Sequence, residues 1–389
     1  MIQIPYGRQS ISEADIQAVV DVLRSDYLTQ GPAVPAFEKA VADYCGARHA
    51  VAVNSATSAL HIACLALGVG PGDWVWTSPI SFVASANCAR YCGASVDFVD
   101  IDPVTYNLCP QQLAVKLVQA ESDGKLPKVL IPVHFGGQPC DMAAIQILAR
   151  RYGFKIVEDA SHAIGARYRG SLVGDCAYSE ITVFSFHPVK IITTGEGGMA
   201  LTKDDSLAQR MALLRTHGIT RDQVKLQYPA PGPWYYEQQA LGFNYRLTDI
   251  HAVLGLSQLA RLDQFIAQRN ALAQRYKLEL DGLPLRLPSV HPGSQSSFHL
   301  YVVRLLRGAA RKTHRQVFDE LRRLGIGVNV HYTPIHLQPY YRELGFRPGQ
   351  FPEAEAHAEE AITLPLYPTL KEQEQDRVVA GLKQVVGRA

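Results

Sequence analysis

The first patterned stretch reads as a helix. Ser12 precedes it, Asp15 follows three residues on, and Ile16, Val19, Val20 and Leu23 recur at helical spacing. A serine with an acidic residue three positions later is the signature of a capping box. Residues 28–32, Leu-Thr-Gln-Gly-Pro, read as a loop. From about 34 to 215, helical stretches (34–45, 57–67) alternate with short apolar runs at 50–53, 74–78, 95–99, 128–133, 155–158, 182–186 and 199–202. Most of those runs lack the in–out alternation of a half-exposed sheet, so they predict a largely parallel sheet covered on both faces. A long helical pattern over 250–279 follows, then a Pro-, Gly- and Ser-rich stretch at 282–296. The tail predicts strand (297–305), helix (313–324), strand (327–332) and a last helix after Thr369. The expected organisation is a large α/β domain over 1–255 and a smaller α+β domain over 256–389.

Length agrees with two domains. A chain of 389 residues exceeds one ordinary domain and can bury roughly 75% of its unfolded surface. Composition is 47% hydrophobic and 19% charged with a net charge of +2, which gives no reason to expect nucleic acid or an anionic membrane as partner. Residues 1–5 do not resemble a signal peptide, and no apolar run nears the ~18–20 residues that span a bilayer. The seven cysteines are scattered, without a C-x-x-C pair. They read as buried free thiols of a cytosolic protein, with no metal site expected.

Four segments carry chemistry. Asn54-Ser-Ala-Thr-Ser-Ala-Leu60 leaves a strand and opens a helix, so its free amides and the helix dipole suit an anion. Its ordinary reading is an N-cap by Ser55 or Thr57. Val157-Glu-Asp-Ala-Ser-His162 puts Asp159 at the carboxyl end of an apolar strand, where open α/β sheets bind ligands. A carboxylate there needs a cationic partner; a protonated pyridine, a salt bridge and a helix cap all satisfy it. Phe184-Ser-Phe-His-Pro-Val-Lys190 ends a strand and sets a lysine among apolar residues before a glycine-rich turn. Desolvation there favours the neutral, nucleophilic amine. Leu241-Gly-Phe-Asn-Tyr-Arg-Leu-Thr-Asp249 holds Asn244 and Arg246 among apolar neighbours, with Thr248 as the helix cap of the ordinary reading. Phosphate cup, aspartate and lysine, in that order, are what pyridoxal phosphate (PLP) requires of a protein.

These segments, with Glu158-Asp-Ala-Ser-His-Ala-Ile-Gly-Ala166 and Thr194-Gly-Glu-Gly-Gly198, closely resemble the signatures of the DegT/StrS sugar aminotransferases. The resemblance runs over nearly the whole chain. It implies a fold-type I PLP-dependent transferase, aspartate aminotransferase-like. Lys190 would hold the cofactor as a Schiff base and shuttle protons, and Asp159 would pair with the ring nitrogen. Thr57, Ser58 and Ser185 would bind the phosphate. Phe82 would stack on the ring, with a core position as its ordinary reading, and His162 would lie beside it. The resemblance further implies that Asn244 reaches the cofactor phosphate of a partner subunit, making a homodimer with shared sites. Tyr6, Thr29, His331 and Tyr332 match substrate-contacting places.

Histidine at 162 and His187-Pro188-Val189 before the lysine resemble one branch of the family. That branch makes UDP-4-amino-4,6-dideoxy-N-acetyl-β-L-altrosamine for pseudaminic acid, and usually takes its amino group from L-glutamate. Action on another nucleotide-linked keto sugar is the alternative within the family. Lys190 speaks against the family's sugar 3-dehydratases, which carry histidine there, and against a PLP-binding regulator without turnover. A dinucleotide-dependent dehydrogenase or a kinase is disfavoured, since neither G-x-G-x-x-G after the first strand nor G-x-x-x-x-G-K-[ST] occurs.

Overall fold

The computed structural model describes residues 3–306, 308 and 312–387. Helix α1 (Glu13–Leu23) starts with the expected capping box, in which Ser12 and Asp15 each bind the other's amide. Helix α2 (Ala33–Cys45) leads into strand β1 (His49–Val53), α3 (Ala56–Ala66), β2 (Trp74–Thr77), α4 (Ala84–Tyr91) and β3 (Ser95–Phe98). Then come α5 (Pro110–Asp123), β4 (Val129–Ile131), α6 (Met142–Tyr152), β5 (Lys155–Asp159), β6 (Ile181–Ser185), β7 (Gly198–Thr202) and α7 (Asp205–Leu214). The seven strands form one sheet in the order β1-β7-β6-β5-β4-β2-β3. The run from β3 to β6 is parallel, and β7 lies antiparallel between β6 and β1.

Alternate residues of each strand enter different cores, which explains the near-continuous apolar runs. Val53, Val75, Ile131, Val157, Val183 and Ala200 face α3, α4 and α7. On the opposite face, Ala52, Phe184 and Leu201 pack against α2 and the helical stretch after residue 249, while Trp76, Leu130 and Ile156 pack against α5 and α6. A further core joins Tyr276, strand β9 (Tyr301–Leu305), strand β10 (Ala361–Leu364) and the last helix (Glu372–Val386). Strand β8 (Leu285–Arg286) and β10 flank β9 antiparallel. Ile4 also packs in that core, with Gly327 donating to its carbonyl at 2.6 Å. No helix among the described residues is long and apolar enough to cross a membrane, and the seven cysteines are free and buried.

Two sequence expectations change. The pattern over 250–279 is two helices, α8 (Asp249–Leu259) and α9 (Leu262–Glu279). At the break, Gln258 donates to Asp15 at 2.7 Å and the Arg261 guanidinium pairs with the same carboxylate. Apolar periodicity runs across the break because both helices face the core, so pattern alone did not reveal it. Residues 327–332 form no regular strand, only an isolated bridge between Asn329 and Thr363. The consecutive residues Asn329, Val330, His331 and Tyr332 line a cavity instead. The apolar stripe read on α1 lies largely at the surface: Ile16 is 49% and Leu23 55% exposed.

Asp15 itself is fully buried. Burial opposes its ionisation, but Ser257, the Ser12 amide, Gln258 and Arg261 outweigh that and hold its carboxyl below the usual carboxylate range. Removing one partner of such a cluster strands the others. We expect Asp15→Ala to lower unfolding free energy by about 3 kcal/mol in urea titration. The wild-type advantage should be complete above about pH 4 and shrink as pH falls below it, because the folded-state carboxylate protonates later than the unfolded one.

Candidate active site

The sheet register builds the site. Gly198, at the start of β7, pairs with Val53 on one side and Ser185 on the other. A Cβ at Gly198 would sit 2.4 Å from the amide nitrogen of Ala56. Only glycine lets β7 run flush against the start of α3, and this brings the end of β6 beside that helix terminus. Ser55 caps α3 by accepting the Ser58 amide at 3.1 Å, so the ordinary reading of this segment is correct as far as it goes. The amides of Ala56 and Thr57 have no helical carbonyl to bond. The hydroxyls of Thr57 and Ser185 have no protein partner among the described residues, and both line a cavity of about 490 Å³.

Asp159 closes β5, paired with Val183 of the parallel neighbour. Its Oδ2 accepts from Ser85 Oγ at 2.6 Å and its Oδ1 from the Ser161 amide at 3.1 Å. Between β6 and β7 the chain makes a loop pinned at its base by Phe186 N–H to the Gly197 carbonyl at 2.9 Å and Thr194 N–H to the Phe186 carbonyl at 3.0 Å. Ile191 and Ile192 are buried in the core on this loop, and they anchor Lys190 beside them. The lysine is half-buried, since the cavity opens onto it. Burial pulls its amine down to about 8, with Asp159 acting in the opposite direction.

The more exposed His187 lines this cavity, and its three buried imidazoles are His162, His299 and His331. Burial lowers each of them, and the Lys190 charge lowers them further. His331 reaches about 3. His162 Nδ1 accepts the Gly136 amide at 3.3 Å. Its proton therefore rests on Nε2, 3.2 Å from the Tyr332 hydroxyl. With both nitrogens committed, His162 offers the cavity a ring face.

Of the residues singled out from sequence, Tyr6, Thr57, Phe82, Asp159, His162, Ser185, Lys190, His331 and Tyr332 line this one cavity. Phe82 is 61% exposed, so the core reading of it is wrong. Ser58 does not line the cavity, because its hydroxyl turns to Asn54 Oδ1 at 2.7 Å. Thr29 lies elsewhere, bridged to Thr248, the cap of α8. Asn244 is exposed outside the cavity and bridges Thr216. Sequence reasoning missed Ser85, Ser161, His299 and Asn329. Ser85 follows Phe82 by three residues, in the first turn of α4, and that spacing was the one available hint.

Residues 9–383 match the model of the DegT/DnrJ/EryC1/StrS aminotransferase family. The chain belongs to that family. It is 38% identical over 386 residues to the spore coat polysaccharide biosynthesis protein SpsC of Bacillus subtilis (strain 168), covering 98% of this chain and 97% of that one. Among solved structures, Spr1654 from Streptococcus pneumoniae in its PMP form superposes with a TM-score of 0.89 at 32% identity, covering 98% of this chain and 99% of that one. That protein is also solved in a PLP form. Helicobacter pylori PseC, an aminotransferase involved in the biosynthesis of pseudoaminic acid, superposes with a TM-score of 0.89 at 29% identity, covering 98% and 99%.

Family membership makes this a sugar aminotransferase with pyridoxal phosphate as cofactor. The donor set fits that group: free hydroxyls and helix-start amides for a phosphate, a buried carboxylate for a ring nitrogen, and a desolvated amine for an aldehyde. The amine makes a direct prediction. In apoprotein, reductive methylation of Lys190 by formaldehyde, followed by peptide mass spectrometry across pH, should rise with a midpoint near the value of about 8. The neutral fraction grows as pH rises through it. A midpoint above pH 10 would mean that the site does not desolvate its lysine.

Proposed function

We propose that this protein moves an amino group from L-glutamate to C4 of a UDP-linked 4-keto-6-deoxy-N-acetylhexosamine, in pseudaminic acid biosynthesis. The observation that carries aminotransfer is the Lys190 amine, drawn to about 8 by burial, in a cavity that Asp159 also lines. In this reading Thr57, Ser185 and the α3 amides hold the phosphate, Phe82 covers one ring face, and Asp159 holds the ring nitrogen. Pyridoxal phosphate supplies an electron sink for the donor's Cα–H bond. Lys190 Nζ removes that proton as a base and returns it, tasks suited to an amine that is partly neutral near pH 8. Neutral His162, His299 and His331 add no competing charge around it. Tyr6, His331 and Tyr332 contact the nucleotide-sugar.

The UDP-sugar assignment draws support from His162, from His187-Pro188-Val189 before the lysine, and from the likeness to H. pylori PseC. A different nucleotide-linked keto sugar is the second reading, favoured by the higher identity to SpsC of B. subtilis. The functional unit in this proposal is a homodimer working in the cytosol, where seven free buried thiols persist. Ile16, Leu23 and Leu241, exposed in the single chain, suit a covered surface. Asn244 then serves the partner's phosphate site, which accounts for its place outside its own cavity.

Purified protein, glutamate and the two epimeric UDP-4-keto-6-deoxy-N-acetylhexosamines, with the product identified by NMR, test the substrate. Amination of one epimer is expected, and failure on both would sink the branch assignment. Borohydride should fix the cofactor to the peptide containing Lys190, and Lys190→Ala should be folded and inactive. Mixing Lys190→Ala with Asn244→Ala subunits should restore activity that neither has alone, since a mixed dimer holds one intact site. No recovery after subunit exchange would remove the shared-site proposal.

A further inference from the structure

Asp159 is tied to a hydrogen-bond chain of two serines. Ser85 Oγ lies 2.6 Å from Asp159 Oδ2, and Ser81 Oγ lies 2.6 Å from Ser85 Oγ. Ser85 is fully buried and Ser81 is 4% exposed. The direction of the chain follows from chemistry. An ionised carboxylate only accepts, so the single hydroxyl proton of Ser85 goes to Asp159. The Phe82 carbonyl, 3.3 Å from the same oxygen, is the poorer acceptor. Ser85 Oγ can then only accept from Ser81, which must donate. With the Ser161 amide on Oδ1, each carboxylate oxygen has one fixed donor, and the remaining lone pairs are left for a cavity ligand.

We propose that Ser85, oriented by Ser81, is a positioning residue that keeps the shared proton on the cofactor's ring nitrogen rather than on Asp159. The inference rests on the reading that Asp159 faces that nitrogen. In a buried site, a pyridinium–carboxylate ion pair competes with the neutral pair formed when the proton crosses to the carboxylate. Donors on the carboxylate weight the balance toward the ion pair, because hydrogen bonds to the charged oxygen are the stronger ones. One such bond shifts the proton's position by a factor of about ten to a hundred. The electron sink needs the protonated ring, so the serine chain acts on catalysis without touching substrate. One short segment does both jobs: Phe82 faces the cavity, and three residues later Ser85 reaches Asp159 from the first turn of α4.

The test is the 15N chemical shift of the ring nitrogen in holoenzyme reconstituted with ring-labelled pyridoxal phosphate. Wild type should give a protonated-ring shift. Ser85→Ala should move it toward unprotonated pyridine and slow the half-reaction with L-glutamate about tenfold or more, with little change in KM. Ser81→Ala, which leaves the Ser85 hydroxyl in place, should give a smaller displacement of the same sign. Ser85→Thr, which keeps the donor, should restore the wild-type shift. If Ser85→Ala does not fold, a wild-type shift in Ser81→Ala counts against the oriented chain. Asp159→Asn separates the two levels. A shift unmoved by Asp159→Asn defeats the pairing of Asp159 with the ring. A shift moved by Asp159→Asn but not by Ser85→Ala defeats the serine inference alone.

Discussion

The site depends on a residue with no side chain. Gly198 lies between Val53 and Ser185 in the sheet and under the first residues of α3. Any Cβ there would push into Ser55 and Ala56 backbone atoms, opening the gap between the helix start and the end of β6. Both halves of the proposed phosphate site belong to that gap: the Thr57 hydroxyl with the helix amides on one side, and Ser185 on the other. The antiparallel placement of β7 is what carries the lysine loop back across the sheet. The strand that breaks the parallel pattern is therefore the one that closes the site.

A second constraint is electrostatic. The cavity resists positive charge, as the lowered values of Lys190, His162, His299 and His331 all state from different positions. Asp159 works against that resistance at Lys190, but burial is the larger effect. The outcome is an amine drawn down to about 8 beside three buried imidazoles, His162, His299 and His331, that burial also holds low. A lysine serving as both covalent anchor and proton carrier needs that separation, since a histidine titrating in the same range would compete for the proton.

Much of this was legible beforehand. Short apolar runs bounded by helical periods located the strands of the large sheet, because most are buried on both faces; only the edge strand β3 alternates, with Ser95 and Asp97 partly exposed. Capping at Ser12 and Thr248 was readable from residue type. Asp159 and Lys190 stood out because a carboxylate and an amine in apolar segments demand a chemical reason. What escaped was whatever depends on packing between distant segments. The break between α8 and α9 has no Gly or Pro, and the carboxylate that binds residues on both sides of it, Asp15, lies more than two hundred residues away. Ser85 and His299 look like any serine in a helix and any histidine before a strand, and only the fold brings them to Asp159 and to His162.

Residues that sit apart from the cavity are as informative as those inside it. Ser58 stands apart from the cavity for a local reason: at the third position of a capped turn its hydroxyl points back to Asn54, while that of Thr57 has no protein partner among the described residues. Thr29 and Asn244 have a different explanation. Both lie on extended segments bridged to the N-terminal side of α8 or to residue 216, near chain stretches that leave Leu28 and Leu241 exposed. A polar residue within an exposed apolar surface is badly placed for its own protomer's chemistry. It is well placed for a neighbour's, because covering the surface carries the residue across. The exposed face of α1 and the displacement of Asn244 from the cavity are the two features that the proposed second copy of the chain would account for together.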